Sequence, residues 1–220
     1  MDRARDRPGH GPVSTPGLFI SFEGIDGSGK STQARLLAET LRARGLDVLS
    51  TREPGGSPGA EDIRALVLQG SADRWSADTE LLLFTAARLD HLQRSIRPAL
   101  AAGRVVICDR FADSTRVYQG RGGPDQRARI DALHDLMIGQ DPDLTLLIDM
   151  DPARALSRAQ ARGGAEARFE SFGLALQQAN RAAFLELARA APGRFRVIDG
   201  DAAPEVVARR VAQAVEPVLP

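Results

Sequence analysis

The sequence predicts an α/β fold: a five-stranded parallel sheet with helices on both faces. Three observations point to it. Five short apolar runs alternate with segments of helical periodicity between Leu18 and Val218. The runs lack the in–out alternation of a strand with one wet side, so they read as strands covered on both faces. The chain of 220 residues, 43% apolar and 26% charged, suits one globular domain and leaves little room for a second.

In order, Leu18 to Phe22 is the first strand and runs into Glu23-Gly24. Thr32 to Arg44 carries Ala34, Leu37, Ala38 and Leu41 at helical spacing and stops at Gly45, a residue suited to a helix C-terminus. Asp47 to Thr51 is the second strand, followed by Arg52-Glu53-Pro54-Gly55-Gly56, and Glu61 to Gln69 is a short helix. Thr79 to Ala102 is a long, largely buried helical stretch in which Pro98 either kinks the helix or starts a new turn. Arg104 to Cys108 is the third strand and ends at Asp109-Arg110. A helix over Asp125 to Ile138, a strand over Leu144 to Asp149 and a helix over Pro152 to Arg162 come next. Phe172 to Ala190 is helical, Phe195 to Ile198 is the fifth strand, and Pro204 opens the closing helix at a position that tolerates proline. Ligands of such sheets sit beyond the carboxyl ends of the strands, where Glu23, Arg52, Asp109 and Asp149 all fall.

Composition excludes several classes. No apolar run approaches the roughly 20 residues of a membrane helix. One cysteine, Cys108, forbids an internal disulfide and fits a reducing cytoplasm. The three histidines are scattered, without zinc-ligand spacing. A formal net charge of zero argues against long nucleic acid as the ligand. Met1 to Gly17 lacks the apolar core of a secretory signal and is expected to be a disordered extension before a domain of residues 18–220.

Gly24-Ile25-Asp26-Gly27-Ser28-Gly29-Lys30-Ser31 matches G-x-x-x-x-G-K-[ST] between a predicted strand and a predicted helix. Its glycines let backbone N–H groups wrap phosphates, and the following helix aims its positive end there. Lys30 is the one lysine in the chain; every other basic residue besides histidine is arginine. A compact ammonium is therefore required at that position. Lys30 suits the β- and γ-phosphates of a nucleotide, and Ser31 suits Mg²⁺. The motif implies a nucleoside triphosphate; a kinase, a regulatory switch and an ATPase all remain open at this point.

Further segments, read together, resemble the thymidylate kinase family, bacterial type. Phe22-Glu23-Gly24 through Ser31-Thr32 is similar to the family's P-loop, including Asp26. Thr51-Arg52-Glu53-Pro54-Gly55-Gly56 is similar to its T-R-E-P-G-G, and Phe84-Thr85-Ala86-Ala87-Arg88 to its F-x-A-x-R helix. Asp109-Arg110-Phe111 with Ser114 and Tyr118-Gln119-Gly120 resembles D-R-[YFH]-x-x-S-x-x-Y-Q-G, and Leu147-Ile148-Asp149 with Pro152 resembles L-x-L-D-x-x-P. The resemblance runs from Leu18 to the C-terminus. It implies a P-loop nucleoside monophosphate kinase fold, a usually homodimeric enzyme, and transfer of the γ-phosphate of ATP to dTMP with Mg²⁺.

Phe84 and Arg88 lie four apart and share a helix face, so a ring can stack on a base while a guanidinium reaches its carbonyl. The plainer alternative is a core phenylalanine and a surface ion pair. The resemblance assigns thymine stacking to Phe84 and the O4 contact to Arg88. It gives the acceptor phosphate to Arg52 and Arg110, the sugar 3′-hydroxyl to Asp26, the sugar's 2′ edge to Tyr118, and the base edge to Thr115 and Gln119, with Ser114 in the same block. Asp109 holds Mg²⁺ through water or orients Arg110, and Glu23 is a similar candidate. Arg154, Arg158, Arg162 and Arg168 cluster around Gly163-Gly164, and residues 154–170 resemble the family's lid. The P-loop has Gly27 and Ser28 where some members carry an arginine, so Arg162, then Arg158, is expected to bring charge to the transferring phosphoryl group. The lid ends Glu166-Ala167-Arg168-Phe169-Glu170, an apparent one-residue insertion against D-R-[IF]-E. The competing functions are a kinase for another nucleotide or deoxynucleoside, a P-loop regulatory module, and a nucleic-acid-dependent ATPase.

Overall fold

The structure, a computed structural model, describes residues 17–71, 74–162 and 173–219. Among them the strands are β1 (Leu18–Glu23), β2 (Val48–Arg52), β3 (Val105–Asp109), β4 (Leu144–Asp149) and β5 (Phe195–Asp199). They form one sheet in the order β2-β3-β1-β4-β5, and every pairing is parallel. The helices are α1 (Lys30–Ala43), α2 (Pro58–Leu68), α3 (Ala77–His91), α4 (Arg97–Ala101), α5 (Ala112–Tyr118), α6 (Pro124–Met137), α7 (Pro152–Arg162), α8 (Leu174–Ala190) and α9 (Pro204–Val215). The predicted α/β architecture is the observed one.

Alternate residues of each strand feed two cores, which is why the strands read as unbroken apolar runs. Ile20, Phe22, Val105, Ile107, Leu144, Leu146 and Ile148 pack under Leu37, Leu41, Val207 and Val211 of α1 and α9. Phe19, Val106 and Cys108 point the other way, against Leu92, Ile96 and Phe111. Each fully buried large side chain contributes about 1.5–3 kcal/mol.

The expected C-terminus of α1 is present: Gly45 has φ +86, and the Gly45 and Leu46 N–H groups donate to Arg42 and Leu41 carbonyls. The long helical stretch is interrupted by a wide π turn over Leu92–Ile96, and α4 begins a new turn with Pro98 in its first positions. Two expectations are corrected. Gly17, assigned to the extension, donates its N–H to Leu100 O at 3.1 Å and so belongs to the fold; residues 1–16 lie outside the described residues. α5 was not foreseen at all.

Register sets the functional edge. Arg52 and Phe22 both align with Asp109, and Glu23 aligns with Leu147. The carboxyl ends of β1, β2 and β3 therefore meet at one level, as parallel-sheet geometry requires.

Candidate active site

A cleft of about 390 Å³ opens at that edge. One wall is the loop between β1 and α1. α1 starts at Lys30, so Lys30 and Ser31 occupy its first turn, beside the positive end of the helix. The Ile25 side chain is buried among Val117, Met150, Ala155 and Phe184 and anchors the loop to the core. Gly27 has φ +84, and a Cβ there would lie 1.9 Å from the Ala155 carbonyl oxygen. The backbone of α7 thus rests on the loop, and no side chain fits at position 27 unless α7 moves.

Lys30 Nζ donates to Ile25 O at 2.8 Å. Burial, helped by the Arg110 charge, pushes its ammonium down to about 8, against the pull of Asp26, Asp109 and Glu23. Gly29, Ser31, Asp26 and Gly27 line the cleft with Lys30. Gly24, Ile25, Ser28 and Thr32 do not; they build the loop from behind.

Another part of the lining depends on α5, and Glu23 holds that helix in place. Glu23 Oε1 accepts the Phe111 N–H at 2.8 Å and the Ser114 N–H at 3.2 Å, while Oε2 accepts the Ser114 hydroxyl at 2.6 Å. A carboxylate on β1 therefore caps the first turn of α5 from another part of the chain. Both of its oxygens thus hold α5, the role the structure shows for this strand-end carboxylate. Burial, then the Asp113 charge, pushes its carboxyl up to about 7 against these hydrogen bonds.

Arg110, at φ +73, turns the chain from β3 into α5. Its Nη1 donates to Ser114 Oγ at 3.0 Å, its Nη2 to Asp26, and its guanidinium lies 5.2 Å from the Tyr118 ring centre. The Tyr118 hydroxyl donates to the other Asp26 oxygen at 3.3 Å. Asp26, Arg110, Ser114 and Tyr118 are thus one cluster. Arg52 lines the cleft nearby and pairs with Glu61 at 3.1 Å; both side chains are about half exposed, so the pair is weak and readily exchanged for an anion.

Phe84 and Arg88 of α3 close the far end. Arg88 is not the surface ion pair of the plainer alternative. It is 5% exposed, its Nε donates to Glu53 Oε2 at 2.7 Å, and its Nη2 donates to Thr115 Oγ1 at 3.0 Å and Phe111 O at 3.2 Å. Glu53 in turn meets His91 Nδ1 at 3.1 Å, and His91 Nε2 meets Thr51 Oγ1 at 2.8 Å. The Arg52-to-Gly56 loop is thereby fastened to α3. Thr115 and Gln119 also line the cleft.

Asp109 lines the cleft beside Lys30, and its buried Oδ1 makes no hydrogen bond among the described residues. A buried carboxylate oxygen without a donor, on a residue that lines the same cleft as Ser31, fits a hydrated Mg²⁺. Cys108, next to it, is a fully buried thiol pushed up by burial, as expected of a core residue.

The predicted lid is described in part. Arg154 pairs with Asp201, and Arg158 is exposed with Nη1 3.5 Å from Met150 Sδ; neither lines the cleft. The Arg162 side chain, Gly163-Gly164 and Arg168 lie outside the described residues.

Sequence reasoning missed four features. Arg64 of α2 lines the cleft and donates to Pro54 O at 2.6 Å. His91 and Glu53 brace Arg88; the one hint was that His91 follows Arg88 by three residues on a helix. Asp113 of α5 is fully buried. Burial would raise its carboxyl, but hydrogen bonds and charge from Arg194 and Arg116 hold it below its ordinary value. Arg181 makes a bidentate pair with Asp149 at 2.6 and 2.7 Å, which occupies the fourth strand end.

The family profile described as thymidylate kinase matches residues 22–211. The chain is 68% identical over 203 residues to the thymidylate kinase of Ruegeria pomeroyi, covering 92% of this chain and 96% of that one. It is 56% identical over 202 residues to that of Caulobacter vibrioides, covering 91% and 97%. Among solved structures it is similar to thymidylate kinase from Ehrlichia chaffeensis, with TM-score 0.72, 37% identity, and 92% and 99% of the two chains covered.

Proposed function

The chain belongs to the thymidylate kinase family, and from that premise we propose how its cleft moves the γ-phosphate of ATP to dTMP, giving dTDP and ADP. The observation that carries this reading is the make-up of the one cleft. Lys30 and Ser31 line it together with Arg52, Arg110, Phe84 and Arg88. That is a donor phosphate cradle facing an acceptor site with a ring and a guanidinium for a base.

Residues 24–32 wrap the triphosphate, and Lys30 neutralises its β- and γ-oxygens. Arg52 and Arg110 hold the acceptor phosphate in line, since arginine suits bidentate oxyanion contacts. Asp26 takes the 3′-hydroxyl, which requires it to share or yield its contacts with Arg110 and Tyr118. Tyr118 packs against the sugar's 2′ edge and disfavours ribose. Phe84 stacks on thymine and Arg88 donates to O4. Ser31 and, through water, Asp109 would hold Mg²⁺, which supplies charge neutralisation between the phosphates. The acceptor phosphate is already nucleophilic at neutral pH, so no general base is needed; catalysis is positioning and electrostatics. Arg162, then Arg158, brings further positive charge to the transferring phosphoryl group.

The test is ADP release with dTMP, dUMP, dGMP, dCMP and thymidine as acceptors. dTMP is expected to be used best. Preference for thymidine would instead make the protein a nucleoside kinase, and nucleotide binding without acceptor-dependent ADP release would make it a regulatory module.

A pH profile tests the role of Lys30. Its ammonium must be charged to bind phosphate, and burial pushes it down to about 8. kcat/KM for ATP reports the free enzyme and is expected to fall as pH rises through about 8. Bound phosphates favour the charged form, so the same limb in kcat is expected at higher pH. Coincident limbs would remove Lys30 from this role.

A homodimer is part of this reading. α3 packs against α2 and α6, and Leu66, Leu82, Leu136 and Met137 of these three helices are exposed large apolar side chains. A reducing cytoplasm suits a chain whose one cysteine is a buried thiol, and among the described residues no helix is long and apolar enough to cross a membrane.

A further inference from the structure

Glu80 does not line the cleft, yet it bonds to a residue that does. Glu80, Phe84 and Arg88 follow one another at four-residue spacing on α3, so they lie along one side of that helix. Gln119, at the end of α5, lines the cleft with Phe84 and Arg88. Its Nε2 donates to Glu80 Oε1 at 2.9 Å, joining the two helices beside the base site.

A carboxylate has lone pairs and no proton to offer, so the half of the Gln119 amide that faces Glu80 must be its NH2. The amide is planar, and fixing one end fixes the other: Oε1 is turned away from Glu80. The Arg121 guanidinium, 5.6 Å from the Tyr118 ring centre and attracted to Glu80, favours negative charge at position 80.

We infer that Glu80 is a positioning residue for pyrimidine specificity, holding Gln119 so that an acceptor oxygen is the group offered to the base edge. Arg88 presents a donor to the same edge. A donor beside an acceptor matches the O4 and N3–H of thymine or uracil. It opposes the NH2 and bare N3 of cytosine. Buried polar groups left mismatched in this way are strong discriminators. The inference rests on reading the cleft as a dTMP site, and the experiment separates the two.

The measurement is the ratio of kcat/KM for dTMP to that for dCMP in the full chain, for the parent, Glu80→Gln, and the double variant Glu80→Gln/Gln119→Glu. The ratio cancels the fraction of active protein, so a partly folded variant still reports. Glu80→Gln keeps size and hydrogen-bonding capacity, but its amide pairs with either orientation of Gln119. The ratio is expected to fall about tenfold, the order of one neutral hydrogen bond, through KM for dTMP with kcat little changed. The dTMP to dUMP ratio, which turns on the 5-methyl group, is expected to hold. In the double variant the carboxylate at 119 accepts from the new amide at 80 and again offers an acceptor to the base, so the ratio is expected to return. An unchanged ratio in Glu80→Gln, or a ratio that stays low in the double variant, overturns the inference. A parent that shows no preference for dTMP over dCMP overturns the substrate assignment, and the inference with it.

Discussion

Lys30→Met is expected to lower turnover by roughly 10²–10⁵, the range seen when one preorganised cation or donor is taken from a phosphoryl-transfer or oxyanion site. The loss should come without a loss of stability. Lys30 is 5% exposed, and burial lowers its ammonium from its ordinary range, so the fold carries a desolvated charge there. Among the described residues its hydrogen bond is the 2.8 Å contact with Ile25 O. Lys30 makes no ion pair among the described residues, so an apolar side chain of similar length removes a desolvated charge without stranding a paired carboxylate. Thermal unfolding of Lys30→Met should therefore match or exceed the parent while activity collapses. Lys30→Arg should fail to rescue turnover, because a planar fork does not fit the space of a compact ammonium. Near-parental turnover in either variant would remove Lys30 from the chemistry.

Arg88→Met is expected to damage both stability and substrate choice. Arg88 and Glu53 are 5% and 4% exposed, and their 2.7 Å contact is shut off from solvent screening. Removing one partner leaves the other buried without its counter-charge, which costs about 3–5 kcal/mol. For a chain of this size that corresponds to a fall in Tm of roughly 10 °C. The variant should also lose its preference for dTMP over dCMP, since the donor to O4 is gone. Adding Glu53→Gln separates the effects. With the buried charge removed, much of the stability should return, while the base preference should not. A variant with parental Tm and parental selectivity would mean that Arg88 neither braces the Arg52-to-Gly56 loop nor reads the base.

The cradle was legible because its residues are contiguous: eight positions between one strand and one helix carry the whole phosphate-binding arrangement. The acceptor side was legible through a resemblance to known sequences, since Arg52, Phe84, Arg88 and Arg110 reach the same cleft from three separate segments. α5 was not legible. Seven residues are too few for periodicity to show, and the side chain that caps them, Glu23, is 88 positions away from Phe111. Asp113, in the same short helix, is buried and paired with Arg194 and Arg116, partners that no local pattern announces.

Local sequence by itself determined the five strands, most of the helices, and the glycine-rich loop that ends at the one lysine. These follow from the side-chain period, the placement of glycine and proline, and the choice of one basic residue over another, all of which act within a few positions. Tertiary structure decided how each functional side chain is held: Glu23 capping α5, Glu53 and His91 bracing Arg88, Ala155 pressing on Gly27, and Glu80 turning Gln119. Hydrogen bonds and ion pairs need partners within about 3 Å, and folding brings those partners from segments whose separation along the chain carries no periodic trace.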